Sequence, residues 1–311
     1  RIRDPKAKKA VRQLSLGALN ISSDEIGQLS RHGFTIGSDK TIMELFYNGT
    51  RLQRARWPKP NEPPCAISQI FNPNKTAPIF SVNSTLPSSW HASLASDDGV
   101  WLDGIVSQNW VWTYNKVVGL TNGSLSLAFP EVADLQLFSP TYCCHNRFFF
   151  DNVFEEISEP GEYFINTTEK MVYLYPPLNS GAQSLPIEAS VLSTPLMDFD
   201  ASASNISIIN FSVGYSRQNG ISATSATWIT LENLEVLNVG LTGVAIGYRS
   251  TVRNAHIHHV GADGVTVNAG MPSQLVPGES TVTNCHIHHF ASWMKVYAPG
   301  VYVGGVANEG P

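Results

Sequence analysis

Six histidines in the last third of the sequence are the residues whose type and spacing most suggest chemistry. They lie in two near-identical strings, NAHIHH from Asn254 and NCHIHH from Asn284. Imidazole nitrogens bind transition metals and also contact polar substrates. The sequence shows no carboxylate or cysteine at ligand spacing that would complete a set of metal ligands. It therefore predicts neither a metal site nor a cofactor.

Three interpretations of these strings stay open. Duplication of a repeat stacks like residues without any chemical role, and the sequence favours such a structural ladder. The second interpretation is a surface that contacts substrate through His256, His258, His286 and His288. A transition-metal site is the third. Strands about 4.8 Å apart would place each histidine beside its counterpart in the other string.

The two strings are rows of a longer repeat. Four rows align on one asparagine, and intervals of 23, 21 and 30 residues separate Asn210, Asn233, Asn254 and Asn284. Ten residues after each of the first three asparagines comes a glycine followed by a β-branched residue, as at Gly243-Val244. A repeat of this length with strand-like patterning indicates a solenoid.

The apolar pattern within a row changes phase at its asparagine. Apolar residues lie two positions before it and one and three positions after it, as with Leu231, Leu234 and Val236 around Asn233. A strand alternates with period two, so the change needs one residue outside β space, and asparagine tolerates the left-handed region well. Each row is therefore predicted to be a strand, an asparagine bend, a second strand, a loop and a third strand.

The rows, over about 185–303, resemble the right-handed parallel β-helix superfamily, whose members stack such asparagines into an internal ladder. The resemblance implies an all-β fold with β-helix coils over 185–311, incomplete at the C-terminal end. Because stopping at Pro311 would expose a strand edge, we expect the native chain to continue. Cys285 is expected to be a small core residue stacked on Ala255. The ladder is predicted to contain Asn210, Asn233, Asn254 and Asn284.

Residues 1–184 are predicted to form a β-rich hairpin or sandwich region. Asp4-Pro5 begins a short helix near 4–16, because Asp caps helices and Pro suits their first turn. Hairpins are predicted at 41–57 and 162–176. Four tryptophans are interpreted either as core residues or as a platform that stacks on sugars, and these are Trp90, Trp101, Trp110 and Trp112.

This N-terminal region extends the resemblance. It contains, in order, the strings ELFYNGTRLQRARWP, RFFFDNVFEEISEPGEYFIN and MVYLYPP. In this order, and followed by the rows, they are similar to a group of secreted right-handed parallel β-helix repeat proteins. That group includes carbohydrate-active enzymes of the glycoside hydrolase and polysaccharide lyase type.

The resemblance implies a groove along the third strands, where Asp263 and Tyr302 are candidate catalytic residues and Thr266 a substrate contact. A glycosidase needs two carboxylates, whereas a lyase needs a base. We expect the carboxylate that would partner Asp263 to lie beyond Pro311. The alternative is that Asp263 is a turn residue that hydrogen-bonds its own loop.

Composition excludes some partners and favours an extracellular location. The net charge of −5 and the absence of a basic stripe argue against nucleic acid. No apolar run approaches the roughly 20 residues that span a bilayer. Sequons occur about twice as often as composition predicts, which favours a secreted or cell-surface glycoprotein over a bacterial β-protein with chance sequons. Glycans are predicted at Asn20, Asn48, Asn74, Asn83, Asn122, Asn166 and Asn205.

Two expectations concern single residues. Asn210 also begins a sequon, but as a ladder residue it is expected to be buried and without glycan. Cys65 can form a disulfide with Cys143 or with Cys144, and the sequence does not decide between them.

The sequence thus predicts an extracellular glycoprotein that binds or cleaves a polysaccharide in a groove along the solenoid. The alternative is a non-enzymatic structural or adhesive glycoprotein that uses the solenoid as a rigid module. Its partners would then be other copies of the chain or extracellular-matrix proteins.

Overall fold

The computed structural model describes residues 1–34, 41–72, 79–106, 110–121, 124–127, 146–178 and 186–304. The chain divides into two compact units, Arg1–Ile187 and Glu188–Pro311. Strands dominate both units in the described residues, and the helices are short. The prediction of an all-β protein with parallel sheets is confirmed.

The N-terminal unit begins with a helix that is shorter than predicted. Helix α1 (Pro5–Ala10) is capped by Asp4, whose Oδ1 accepts hydrogen bonds from the backbone N–H groups of Lys6 and Ala7. It ends at Ala10, not near residue 16, because Arg12–Ser15 pairs as a strand with Met171–Leu174. Two further helices are α2 (Ser23–Ile26) and α3 (His91–Leu94), and 3-10 turns lie at Gly17–Leu19, Ser88–Trp90 and Phe154–Glu156.

Fifteen strands follow one another from the start of the described chain to the unit boundary. They are β1 (Arg12–Ser15), β2 (His32–Gly33), β3 (Leu45–Tyr47), β4 (Thr50–Arg51), β5 (Gln53–Arg54), β6 (Arg56–Trp57), β7 (Ile67–Asn72), β8 (Ile79–Val82), β9 (Val100–Ile105), β10 (Trp112–Thr121), β11 (Ser124–Leu127), β12 (Arg147–Asp151), β13 (Glu162–Asn166), β14 (Met171–Leu174) and β15 (Ile187–Ala189). One sheet has the order β1-β14-β13-β5, and a second has the order β6-β12-β9-β10-β11-β8-β7 with β2 paired to β10.

The hairpin expected at 41–57 is shorter in the structure. Strands β3 and β4 pair antiparallel around Asn48 and Gly49, which both have positive φ angles as a two-residue hairpin turn requires. Beyond β4 the chain leaves its partner, because β5 pairs in parallel with β13 and β6 pairs antiparallel with β12. Within 162–176, β13 and β14 form an antiparallel pair.

The tryptophans of this unit divide between core and surface. Trp90 is buried with its ring centroid 5.5 Å from that of Trp57, and its Nε1 donates to Glu156 at 2.8 Å. Trp101 is also buried and stacks on Tyr114. Trp110 is 56% exposed. The core interpretation therefore holds for Trp90 and Trp101.

The C-terminal unit consists of strands that recur once per row. They are β16 (Met197–Asp198), β17 (Ser204–Ser216), β18 (Ile221–Ala223), β19 (Thr227–Val239), β20 (Val244–Ile246), β21 (Thr251–Arg253), β22 (His256–Val260), β23 (Val265–Asn268), β24 (Thr281–Thr283), β25 (His286–His288) and β26 (Val301–Gly304), with a 3-10 turn at Pro272–Gln274.

Two parallel sheets hold these rows in register. The first contains β17, then β19, then β21 with β22, then β24 with β25, so that Leu231 aligns with Val252 and Val252 with Val282. The second has the order β16-β18-β20-β23-β26. Apolar side chains from both sheets form one buried cluster, which includes Val236, Val244 and Ile257.

Each row bends at three left-handed residues, five positions apart. The middle residue is always the predicted asparagine. The other two positions hold mostly other residue types, so no shared residue type reveals them in the sequence. The three sets with positive φ are Asn205, Trp228, Arg249 and Glu279, then Asn210, Asn233, Asn254 and Asn284, and then Tyr215, Asn238, His259 and His289.

The asparagine ladder is external, and the prediction of an internal ladder is wrong. All four middle asparagines are exposed, and the Nδ2 of Asn233 donates to Oδ1 of Asn210 at 3.1 Å and that of Asn284 to Oδ1 of Asn254 at 2.7 Å. The residue before each asparagine is also exposed or half-buried. Two successive residues at the bend thus lie on the outer side, which produces the change of phase.

Close packing between rows accounts for the recurring glycines. A Cβ on Gly220, Gly243 or Gly264 would lie 2.5–2.6 Å from the carbonyl oxygen of the glycine in the next row. Backbone atoms cannot move aside as a flexible side chain can. The second sheet therefore requires glycine at these positions.

Gly243→Ala should lower the free energy of unfolding of the C-terminal unit by about 2–3 kcal/mol through overpacking. The matched control is Gly300→Ala, where the nearest atom to the added Cβ is a ring carbon of exposed Phe290 at 3.2 Å. Urea unfolding followed by circular dichroism measures both. Equal losses for the two variants would contradict this account of the glycine positions.

Candidate functional site

Residues at the same position in successive rows form columns on the first parallel sheet. Two positions after the asparagine, Ser212, Glu235, His256 and His286 align in register across β17, β19, β22 and β25. The histidine rings stack as their spacing predicts. Centroid distances are 5.1 Å for His256 and His286, 5.1 Å for His258 and His288, and 4.7 Å for His259 and His289.

Ring nitrogens also contact one another between the columns. Nε2 of His256 lies 2.8 Å from Nε2 of His288. Nδ1 of His258 lies 2.7 Å from Nδ1 of His259, and Nδ1 of His288 lies 2.5 Å from Nδ1 of His289. Each contact needs one nitrogen with a proton and one without. Hydrogen bonds therefore join these histidines in addition to stacking.

Glu235 supplies a carboxylate beside the histidines, so the expectation that no carboxylate lies near them is wrong. Its Oε1 is 3.5 Å from Nε2 of His258 and 3.9 Å from Nδ1 of His256, and its Oε2 accepts a hydrogen bond from Ser212 at 3.1 Å. Glu235 lies outside the two histidine strings, in the row before the first of them. Glu235 has the same offset from Asn233 as His256 has from Asn254, so comparison across rows would have found it.

The surroundings of two histidines favour the neutral imidazole. Burial lowers the pKa of His256, and neighbouring His258 and His286 lower it further, while Glu235 opposes them. The pKa of His288 is lowered in the same way, by partial desolvation and by the surrounding imidazoles. A neutral ring can accept a proton or coordinate a cation.

A groove of about 560 Å³ runs along the asparagine column. Glu235, His256 and His286 line it on one side, the ladder asparagines contribute amides, and the exposed ring of Phe211 adds an apolar surface. Asp263, Thr266 and Tyr302 were expected to line a groove along the third strands. None of these three residues lines the groove along the asparagine column.

Of the three residues assigned to the third-strand groove, Thr266 and Tyr302 lie on the second sheet and Asp263 lies in the loop before β23. Thr266 and Tyr302 align in register, and Thr266 donates a hydrogen bond to Oδ2 of Asp263 at 3.0 Å. Burial raises the pKa of Asp263, and the Thr266 hydrogen bond partly offsets this. Oδ1 of Asp263 is buried without a hydrogen-bond partner among the described residues. The bond to Thr266 agrees with the interpretation of Asp263 as a turn residue.

Most of the predicted glycosylation asparagines lie at the surface. Asn20, Asn48, Asn83 and Asn205 are exposed, and Asn166 is half-buried in the turn between β13 and β14. Asn74 and Asn122 lie outside the described residues. Asn210 is exposed as well, so the expectation that its sequon is buried is wrong.

The described cysteines are Cys65 and Cys285. Cys65 is buried and burial raises the pKa of its thiol to about 12. Its proposed disulfide partners, Cys143 and Cys144, lie outside the described residues. Cys285 is half-buried and packs against the core cluster of its unit, as its inward position predicts.

No family model and no curated protein sequence matches this chain. A solved structure named "Glycoside hydrolase" is similar in fold, with a TM-score of 0.61, 14% sequence identity and coverage of 80% of this chain. The match spans 54% of that protein's length. In the described part of the chain, every helix is too short or too polar to cross a lipid bilayer.

Asp263→Asn should raise the melting temperature at pH 7 by about 1–2 °C, since partial exposure limits the gain. A carboxyl whose folded pKa is raised stabilises the fold below its unfolded pKa and loses that contribution as pH rises through the folded value. The gain should therefore disappear below about pH 4. Scanning calorimetry from pH 3 to pH 8 measures it. A gain that is the same at every pH would contradict a desolvated carboxylate.

Proposed function

We propose that this protein is secreted and N-glycosylated, that it folds as a right-handed parallel β-helix, and that it binds or cleaves a polysaccharide. The in-register rows, with three bends in each, support the β-helix. Sequons at exposed positions support the location, and a mass loss on enzymatic removal of N-glycans from protein secreted by eukaryotic cells would test it. The fold likeness to a protein named as a glycoside hydrolase supports a carbohydrate-related activity.

The groove along the asparagine column is the observation that carries the proposal. Its volume of about 560 Å³ is within the range of roughly 300–1,000 Å³ typical of ligand sites. Amides of Asn233 and Asn254 offer donors and acceptors that suit sugar hydroxyls. The exposed ring of Phe211 suits the apolar face of a pyranose.

The chemistry of the groove favours proton abstraction over hydrolysis by two carboxylates. Glu235 is the one carboxylate among the residues that line it. Glu232, which lies one residue before Asn233, forms an ion pair with the guanidinium of Arg253 at 2.7 Å. His256, held neutral by its surroundings, is available as a base. A polysaccharide with an acidic carbon beside a uronate carboxylate would supply the proton that such a base removes.

Asp263, Tyr302 and Thr266 stay candidates for a second contact with the glycan, with Asp263 as the candidate carboxylate. None of these three residues lines the groove, so they would contact the glycan at a different place. Activity of the longest natural chain on a polysaccharide panel, unchanged by Asp263→Asn, would remove Asp263 from catalysis.

A structural or adhesive role is the second candidate. Strand β17 carries exposed Ile209 and Phe211. Exposed apolar side chains on a strand suit association with another chain. Binding of matrix proteins or of further copies, with no affinity for any glycan, would favour this role.

A polysaccharide array tests the main proposal. Phe211→Ala should weaken binding about 3-fold to 10-fold, the value of one aromatic stacking contact. Trp228→Ala is the matched control, because Trp228 is exposed to a similar degree but does not line the groove. His256→Ala should abolish any cleavage while retaining binding.

The proposal fails if neutral and acidic polysaccharides leave the protein unbound. It fails equally if Phe211→Ala and Trp228→Ala weaken binding to the same extent, since the groove would then have no special part. Circular dichroism of each variant verifies that the fold is retained.

A further inference from the structure

Three side chains at one end of the histidine columns converge on a common point. Glu235, His256 and His258 each offer one ligand atom, and these atoms all lie within 4.8 Å of one another. The two nitrogens that face Oε1 of Glu235 are Nδ1 of His256 at 3.9 Å and Nε2 of His258 at 3.5 Å. Ligands of a tetrahedral Zn²⁺ ion, at about 2.0–2.1 Å from the metal, are about 3.3 Å apart. The two distances from Oε1 of Glu235 are therefore within about 0.6 Å of the spacing between ligands of one ion.

We propose that Glu235, His256 and His258 bind one divalent transition-metal ion of the Zn²⁺ type. Two neutral imidazoles and one carboxylate make a ligand set that such ions accept, with a fourth position open. Mg²⁺ and Ca²⁺ are disfavoured because they prefer oxygen ligands. The inference concerns metal binding and does not depend on polysaccharide recognition, and with the ion bound His256 would be a ligand and not a free base.

The hydrogen bonds of the other two ring nitrogens support this assignment. In the structure as it stands, Nε2 of His258 can donate to Oε1 of Glu235 at 3.5 Å. Metal binding requires that proton to move to Nδ1 of His258, which then donates to His259, while Nε2 of His256 donates to His288. In this tautomer the lone pairs on Nδ1 of His256 and Nε2 of His258 are free for an ion beside Glu235. Metal-binding histidines generally donate their other ring N–H in this way, which fixes tautomer and orientation.

The same set of tautomers is compatible with the hydrogen bond between His288 and His289. His288 accepts from His256 through Nε2 and can then donate through Nδ1 to His289 at 2.5 Å. A chain of neutral imidazoles thus supports the proposed ligands from behind. Stacking between repeats explains why histidine recurs at the same position in two rows. It does not explain why Nδ1 of His256 and Nε2 of His258 both face Glu235.

A second group, His256 with His286 and His288, also brings its ligand atoms within 4.8 Å. It lacks a carboxylate to neutralise part of the charge of the cation. Its nitrogens on His256 and His288 are 2.8 Å apart, a hydrogen-bond distance that is shorter than the roughly 3.3 Å between ligands of one ion. The Glu235 group is therefore the better site.

The open coordination position would face a ligand in the groove. Glu235 and His256 line the groove, whereas the side chain of His258 is only 13% exposed. An anionic or hydroxyl group of a bound molecule could occupy the position that the protein leaves free.

Isothermal titration of the untagged chain with Zn²⁺ tests the proposal. One ion per chain is expected, and Co²⁺ in its place should show the intense visible absorption of a tetrahedral site. Glu235→Gln should weaken Zn²⁺ binding at least about 10-fold. Glu232→Gln is the matched control, because it removes a carboxylate on the same strand that pairs with Arg253, and it should leave the affinity unchanged.

Two histidine variants separate the alternatives. His288→Ala should weaken binding about 10-fold by releasing the ring of His256, and His286→Ala should have little effect. The proposal is overturned if Zn²⁺ does not bind, if Glu235→Gln and Glu232→Gln behave alike, or if His286→Ala abolishes binding. Each variant is first verified by circular dichroism, and Glu235 is exposed enough for its isosteric substitution to leave folding intact.

Discussion

Parallel pairing in register is the constraint on which the rest of the C-terminal unit depends. Backbone hydrogen bonds hold neighbouring rows about 4.8 Å apart, so each side chain contacts chiefly the residue at the same position in the next row. The glycines follow from this constraint, because any side chain there would overlap the carbonyl of the next glycine. The stacked histidines and the amide pairs of the asparagines follow from it as well.

The same constraint brings chemistry together at the groove. Glu235 in one row meets His256 in the next, although 21 residues separate them in the chain. Partial desolvation and neighbouring imidazoles lower the pKa of His256 and His288, which favours the neutral form of these two rings. Neutral imidazoles beside one carboxylate can accept protons or coordinate a cation, and the groove gives a ligand access to them.

The sequence predicts the strand class, the row register and the histidine pairs because each depends on local periodicity. It does not reveal the outer bends, since Trp228 and His259 adopt the left-handed conformation without being asparagine or glycine. The phase change shows where each row bends but not whether the asparagine points inward or outward, and the expectation of an internal ladder came from the resemblance. The groove combines residues of four rows, so its position depends on the path of the backbone.

In the N-terminal unit, tertiary pairing outweighs local preference. Helix α1 ends early and the first hairpin is short because the residues that follow each of them pair with strands distant in the sequence. Such competition is decided by partners more than a hundred residues away, as with β1 and β14, and no local pattern records it.

The central claim is that aligned rows build one hydrogen-bonded array of imidazoles that is able to hold a metal ion against Glu235. Long-range ¹H–¹⁵N NMR of the chain labelled in its histidines tests this most directly, because nitrogen shifts report which ring nitrogen carries the proton. With Zn²⁺ bound, the account predicts a fixed proton on Nε2 of His256 and on Nδ1 of His258 and His288 at pH 7. Nitrogen shifts averaged between the two tautomers in all three rings would contradict it.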